Sequence, residues 1–275
     1  MQRIILVLLR FYLKGVNIVS SRLGGKHAFL LFCYPFPIKL KKHQYEFLKS
    51  GQLSFFDFEG KRIAQYKWGT GEKVILCLHG WQSSSFRWKK YVEALDKKDY
   101  TIICIDAPAH GKSDGSLFNV PMYSRLIQQF LERNEINIIL SHSLGAFSTM
   151  YLLSENPKLS PNKIIALGTP NHADFFIDEF IRVLGLSKAI RKNLVNYFSN
   201  YSGMNTTDFD SKLFARNQKS YGLIIHDKCD KEAPFEYAKE MSKFWSQSIF
   251  VETVGLGHKL RDDTVVQEVI RFVEK

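Results

Sequence analysis

Short apolar runs alternate with helical stretches over most of the chain from residue 52 onward. Gln52–Phe58 and Arg62–Trp68 read as strands joined across Glu59-Gly60-Lys61, a hairpin signal, and Gly69-Thr70-Gly71 follows as a turn. Val74–Leu78 precedes an amphipathic stretch around Phe86–Leu95, Thr101–Ile105 precedes Tyr123–Leu131, and Ile136–Leu140 precedes Leu144–Leu153. Ile164–Leu167 comes next. After a long interruption, Leu223–Ile225 precedes Phe235–Trp245, and Ile249–Val254 precedes Val265–Val273. This alternation predicts βαβ units, hence an α/β fold with a mostly parallel sheet and helices on both faces. The near-continuous apolar character of Val74–Leu78 and Ile102–Ile105 fits strands buried on both sides. Eight strands are expected, the first two forming an antiparallel start.

Residues 171–218 are too long for a simple crossover. Phe175, Phe180, Leu184, Ile190, Leu194 and Phe198 recur there at helical spacing, so a helical cap or lid is expected after strand six, where α/β sheets bind ligands. At the other end, Ile4, Leu8, Phe11, Gly15 and Ile18 share one helix face, while Arg3, Arg10, Lys14 and Asn17 share the opposite one. Two readings of this basic amphipathic helix stand. Its apolar face packs on the domain that follows, or residues 1–21 make peripheral contact with an anionic membrane. The apolar run Ile4–Leu9 is too short for a secretory signal, and no small-residue cleavage site is clear. Pro35 and Pro37 punctuate the segment. The expected organisation is an amino-terminal helical segment over 1–48, a core over 52–170 and 219–275, and a cap over 171–218.

The 275 residues are enough for a substantial core, and 45% hydrophobic with 24% charged residues excludes a disordered or collagen-like chain. No apolar run reaches the ~18–20 residues that would cross a bilayer. The formal charge of +11 comes from basic residues scattered from Arg3 to Lys275. Nucleic-acid binding would need them gathered in one stripe, so no nucleic-acid partner is expected. Cys33, Cys77, Cys104 and Cys229 lack the paired spacing of a zinc site and are too few for a disulfide scaffold. Cys77 and Cys104 lie in predicted strands and read as reduced core residues. The expectation is a cytoplasmic protein, or one peripheral on the inner face of a membrane.

Ile138-Ile139-Leu140-Ser141-His142-Ser143-Leu144-Gly145 carries the chemistry. A strand enters a helix through a turn so tight that positions two before and two after its apex must be small. With Ser143 at the apex, Ser141 and Gly145 meet that demand. The arrangement departs from the G-x-S-x-G nucleophile elbow only by Ser141 in place of the first glycine. Ser141 fails as apex because Ile139 lies two before it, and Ser148 fails because Met150 lies two after. A serine nucleophile needs a base and an acid to orient it. His258, in the glycine-rich loop Val254-Gly255-Leu256-Gly257-His258 after the last strand, is the candidate base. Asp230 and Asp227 both lie just past the preceding strand. Asp230 is favoured for its room to reach back, while Asp227 would otherwise cap its own turn. Two backbone N–H donors should face the developing oxyanion: Leu144, next after the nucleophile, and Trp81, freed to turn by Gly80 after the third strand. His79 and His110 read as braces of their loops. No metal-ligand spacing and no phosphate loop is evident, so no metal or cofactor is expected.

With these motifs, residues 52–275 resemble the α/β-hydrolase superfamily. The matching features are His79-Gly80-Trp81, Asp106-x-Pro-x-His110-Gly111-x-Ser113, the Ser143 elbow, and Asp230 paired with Gly257-His258. Ala109 stands where the family usually has glycine. The resemblance implies an eight-stranded sheet, a helical cap after strand six, and hydrolysis through an acyl-enzyme. A serine apex argues against dehalogenase or epoxide hydrolase chemistry, which uses aspartate. The expected function is hydrolysis of a small-molecule carboxylic ester or thioester with an apolar acyl part. The rivals are a membrane-associated lipid hydrolase or acyltransferase, and a ligand-binding protein that keeps the fold without turnover.

Overall fold

Eight strands join in one sheet in the computed structural model, which describes residues 2–275, with side chains from Ile4 onward. The chain opens with helices α1 (Gln2–Val19), α2 (Ser21–Phe32) and α3 (Lys42–Leu48). It continues through β1 (Gln52–Phe58), β2 (Lys61–Trp68), β3 (Lys73–Leu78), α4 (Lys89–Ala94), β4 (Tyr100–Ile105), α5 (Val120–Arg133), β5 (Ile138–His142) and α6 (Leu144–Glu155). Then come β6 (Lys163–Leu167), α7 (Ala173–Leu184), α8 (Lys188–Ser202), α9 (Ser211–Arg216), β7 (Tyr221–Asp227), α10 (Phe235–Ser242), β8 (Ser248–Thr253) and α11 (Asp263–Glu274).

The strand order is β1-β2-β4-β3-β5-β6-β7-β8, with β2 antiparallel to both β1 and β4 and all other pairs parallel. Glu59 and Gly60, both at positive φ, make the two-residue turn of the β1–β2 hairpin. From β3 the chain moves outward to β4, then returns to the other side of β3 as β5. The carboxyl ends of β3 and β5 therefore flank the point where strand order reverses, the crevice in which open α/β sheets bind ligands.

Alternate residues of the central strands share each face. Ile75, Cys77, Ile102, Cys104, Leu140 and Ile165 pack in one cluster with Trp88, Tyr91 and Val92 at α4 and with Val265, Val269 and Val273 of α11. On α5 and α6, which pack against each other, Leu126, Ile127, Phe147, Met150 and Leu153 are likewise buried. β5 runs two residues beyond the apolar run that predicted it, because Ser141 and His142 still pair with Ala166 and Leu167 of β6. That extension carries the strand to the residue before Ser143.

The chain divides into two compact units: residues 35–171 with 211–275, which hold the whole sheet, and residues 1–34 with 172–210. α9, inside the stretch expected for the insertion, belongs to the larger unit, where Phe214 packs against Phe147 and Tyr151 of α6. In the smaller unit, α2 lies against both α1 and α8. A side chain on Gly24 would collide with Asn17, and one on Gly25 with the Asn193 backbone, so these two glycines permit the close approach. Phe29 then meets Tyr197, Phe198 and Tyr201 at ring separations of 5.1–6.3 Å.

The side of α1 that packs is the reverse of the one marked as apolar. Leu13 is fully buried, Arg10 donates from Nε to the Leu184 carbonyl at 2.6 Å, and Asn17 accepts from Asn193 Nδ2 at 2.7 Å. Ile4, Leu8, Phe11 and Ile18 are exposed. The reading in which they pack inward is thus overturned: the half-polar side satisfies its neighbours through hydrogen bonds, and the apolar arc is left outward. Arg3, placed with the basic face, has its side chain outside the described residues.

Candidate active site

Ser143 stands between the last residue of β5 and the first of α6 with φ 54° and ψ −126°. A positive φ on a residue with a side chain costs on the order of 1–3 kcal/mol and persists only where the surroundings enforce it. Here the Ser143 N–H donates to the Leu167 carbonyl at 2.9 Å, and the Phe147 N–H closes the first helical turn onto the Ser143 carbonyl. Neighbouring small residues make the kink fit. A Cβ on Gly145 would run into the Leu78 carbonyl, and one on Gly80 would lie 2.8 Å from Ser143 Cβ. Ser141, in the glycine position of the common motif, is fully buried and donates from Oγ to the Ile165 carbonyl at 2.9 Å. Its hydroxyl is therefore satisfied inside the sheet at no cost to the turn.

The structure brings Ser143, His258 and Asp230 together. His258 Nδ1 lies 2.8 Å from Asp230 Oδ2, and His258 Nε2 lies 2.9 Å from Ser143 Oγ. An ionised carboxylate only accepts, so Nδ1 carries the proton and Nε2 offers its lone pair to the serine hydroxyl. Burial would raise the Asp230 carboxyl, but hydrogen bonds from His226 and His258 outweigh it and hold the group well below the ordinary carboxylate range. Asp230 Oδ1 also accepts from the Glu232 and Ala233 N–H groups, at 2.8 and 2.9 Å. Asp227, the other carboxylate weighed from the sequence, points elsewhere. It accepts from Cys229 N–H, Thr253 Oγ1 and Leu256 N–H, pinning the loop that carries His258.

Three side chains near this line escaped the sequence reading. His226, fully buried at the end of β7, directs Nε2 at the Ala233 carbonyl (2.8 Å) and at Asp230 Oδ2 (3.3 Å). His142 donates from Nε2 to the His258 carbonyl at 2.8 Å, and burial, reinforced by the charge of Arg87, keeps its ring neutral. Glu232, exposed, holds a carboxylate oxygen 3.9 Å from His258 Nε2. The four-residue spacing of His226 and Asp230 was visible, but it acquires meaning only once the loop folds back. Arg87 fastens the far side of the His258 loop by donating to the Lys259 carbonyl at 2.7 Å.

His79 and His110 hold loops. The His79 ring bridges the Gly80 carbonyl (2.7 Å) and the Ala107 N–H (3.0 Å), and burial pushes its pKa down to about 4. His110 bridges the Pro108 carbonyl and the Gln82 N–H, with its pKa pushed down to about 3, chiefly by burial. Each ring donates through one nitrogen and accepts through the other, the pattern of a neutral imidazole. Asp106, buried, accepts from Ser85 N–H, Ser85 Oγ and Lys112 N–H, and a Cβ on Gly111 would strike its carboxylate. Ala109 sits at φ 64°, so the methyl group in the place of the common glycine is held in a left-handed conformation at a cost of about 1–2 kcal/mol. Trp81 lies against His110 and Phe118, beside Gly80. Among the described residues no group of three or more His, Cys, Asp or Glu is placed to hold a metal ion.

A family model described as the alpha/beta hydrolase fold matches residues 73–258, more than half of the chain, and the protein belongs to that family. The chain is 28% identical over 102 residues to an uncharacterised hydrolase, YugF, of Bacillus subtilis (strain 168), a match covering 35% of this chain and 37% of that protein. It spans about a third of the length of the curated relatives it matches. Among solved structures, it resembles Est1E from Butyrivibrio proteoclasticus, solved with ferulic acid bound (TM-score 0.63, 18% identity, 81% of this chain and all of that one covered). It also resembles a thioesterase domain from the curacin biosynthetic pathway (TM-score 0.61, 16% identity, 82% of this chain and 99% of that one). At these identities the likeness is one of fold.

Proposed function

We propose that the protein is a serine hydrolase of carboxylic esters or thioesters with an apolar acyl part. The supporting observation is the hydrogen-bonded line from Ser143 Oγ through the His258 ring to Asp230, at 2.9 and 2.8 Å, set on a strained elbow. Ser143 Oγ attacks the carbonyl carbon as its proton passes to His258 Nε2, and the carbonyl π pair moves onto oxygen. As the tetrahedral species collapses, the bond to the alcohol or thiol breaks, and His258 returns its proton to the leaving atom. A water then repeats the sequence on the acyl-enzyme, releasing the acid and restoring the serine hydroxyl. Asp230 keeps the imidazole in the productive tautomer and faces the positive charge it gains.

The N–H groups of Leu144 and Trp81 are the proposed oxyanion donors. Leu144 is the first residue of α6, so its N–H has no partner within the helix and sits at the positive end of the helix dipole. Trp81 follows Gly80, whose backbone approaches Ser143 too closely for any side chain. The test is labelling by a fluorophosphonate together with turnover of p-nitrophenyl and CoA esters graded by acyl length. Ser143→Ala should abolish labelling and lower kcat on the order of 10⁴-fold or more with the fold intact. Equal labelling of both proteins, or tight ligand binding without turnover, would return the chain to the ligand-binding reading.

A further inference from the structure

α1 exposes Ile4, Leu8, Phe11, Ile18 and Val19 at 64, 63, 67, 86 and 82% of their full accessibility, with Ile5, Val7 and Tyr12 also exposed. At 100° per residue these side chains, with Gly15, form one continuous arc of roughly 160°. The arc holds no charged residue. Lys14, exposed, stands at its edge, and Arg22 and Lys26 are exposed on α2. No aspartate or glutamate occurs before Glu46. The helix is about 27 Å long, and no helix of the described residues is long and apolar enough to cross a membrane.

We propose that this arc is a docking surface for an anionic lipid membrane, on which α1 lies flat. An apolar face with a basic margin, on helices α1 and α2 that hold no acidic residue, complements a bilayer surface carrying negative headgroups. A specific protein partner calls for polar anchors to set its register. The one polar group in the arc, the Tyr12 hydroxyl, is already engaged by His27 Nδ1. A second copy of the same surface would add another set of basic side chains with no acid on α1 or α2 to offset them. Inward, Arg10 and Asn17 are used up in packing within their unit, so α1 is held as a helix before it meets any lipid. The proposal does not rest on the catalytic reading.

Flotation of the full chain with vesicles tests it. The protein should rise with phosphatidylcholine vesicles containing phosphatidylglycerol, less with phosphatidylcholine alone, and less as salt screens the charges. Leu8→Ser with Phe11→Ser should weaken binding about tenfold or more, leaving the thermal transition and ester turnover unchanged. Lys14→Glu, which spares the arc, should weaken binding to the anionic vesicles only. Ser143→Ala should float like the wild type, which separates this proposal from the one on chemistry. Failure to float at low salt, or equal flotation of the double variant, overturns it. So does a wild-type dimer, detected by light scattering, that the double variant dissolves: the surface would then belong to a second copy.

Discussion

The two units dispose of their polar groups in opposite ways. In the larger one, carboxylates at or just past the carboxyl ends of β4 and β7 are buried and hydrogen-bonded: Asp106 by Ser85 and Lys112, Asp227 by Thr253 and Leu256, Asp230 by His226 and His258. In the smaller one, α1 turns Arg10 and Asn17 inward and its broad apolar arc outward. The first arrangement holds a hydroxyl 2.9 Å from an imidazole nitrogen. The second makes a unit whose most hydrophobic surface remains unused within the chain. An amphipathic pattern therefore establishes that a helix has two unlike sides, while the neighbours decide which side is inside.

That contrast can be broken first at Leu13. It is fully buried on the inward side of α1, so Leu13→Ala should cost about 2–5 kcal/mol in urea unfolding of the smaller unit. A loss below about 1 kcal/mol would mean that the packed side has been misjudged. In the larger unit, Gly145→Ala places a methyl group against the Leu78 carbonyl. It should cost about 1–3 kcal/mol and, by moving the elbow, lower kcat on the order of 100-fold with KM less affected.

The third test uses pH. His79 and His110 are held neutral in the fold, with pKa values near 4 and 3, whereas both rings charge below about 6.5 in the unfolded chain. Below that value the unfolded state binds more protons, so stability falls as the pH drops from about 6.5 toward 4. Between pH 7 and 5 each ring should remove about 2 kcal/mol from the larger unit's stability. A flat urea midpoint over that range would contradict the burial of these two rings. The smallest effect is expected outside. Leu8→Ala, on the exposed arc, should change stability by no more than about 0.5 kcal/mol.

Much of the larger unit was legible along the chain because its determinants are local. A buried parallel strand is a short apolar run, and Gly60 marks the two-residue turn because it takes positive φ without strain, beside Glu59, which takes it at a cost. The Ser143 elbow declares itself by small residues at fixed offsets, since the collision each avoids lies within one turn of the backbone. Ser141 shows that the demand is for size and not for glycine itself. The order of Ser143, Asp230 and His258 along the chain was likewise readable, because each follows a strand end.

Tertiary structure decided what depends on return paths through space. Nothing local sends His142 to the His258 carbonyl, because that contact forms only when the loop after β8 closes over the end of β5, and the four-residue spacing of His226 and Asp230 becomes a contact only once the turn after β7 folds back. It also separated Asp227 from Asp230, two carboxylates equal by composition, by giving one to the loop backbone and the other to the imidazole. The grouping of α1 and α2 with residues 172–210 is likewise a tertiary matter, with Gly24 letting α2 approach α1 at Asn17 and Gly25 letting it approach α8 at Asn193. Periodicity along α1 specifies the angle between its two sides. Only the partner helices, by satisfying Arg10 and Asn17, determine which of those sides is left to face outward.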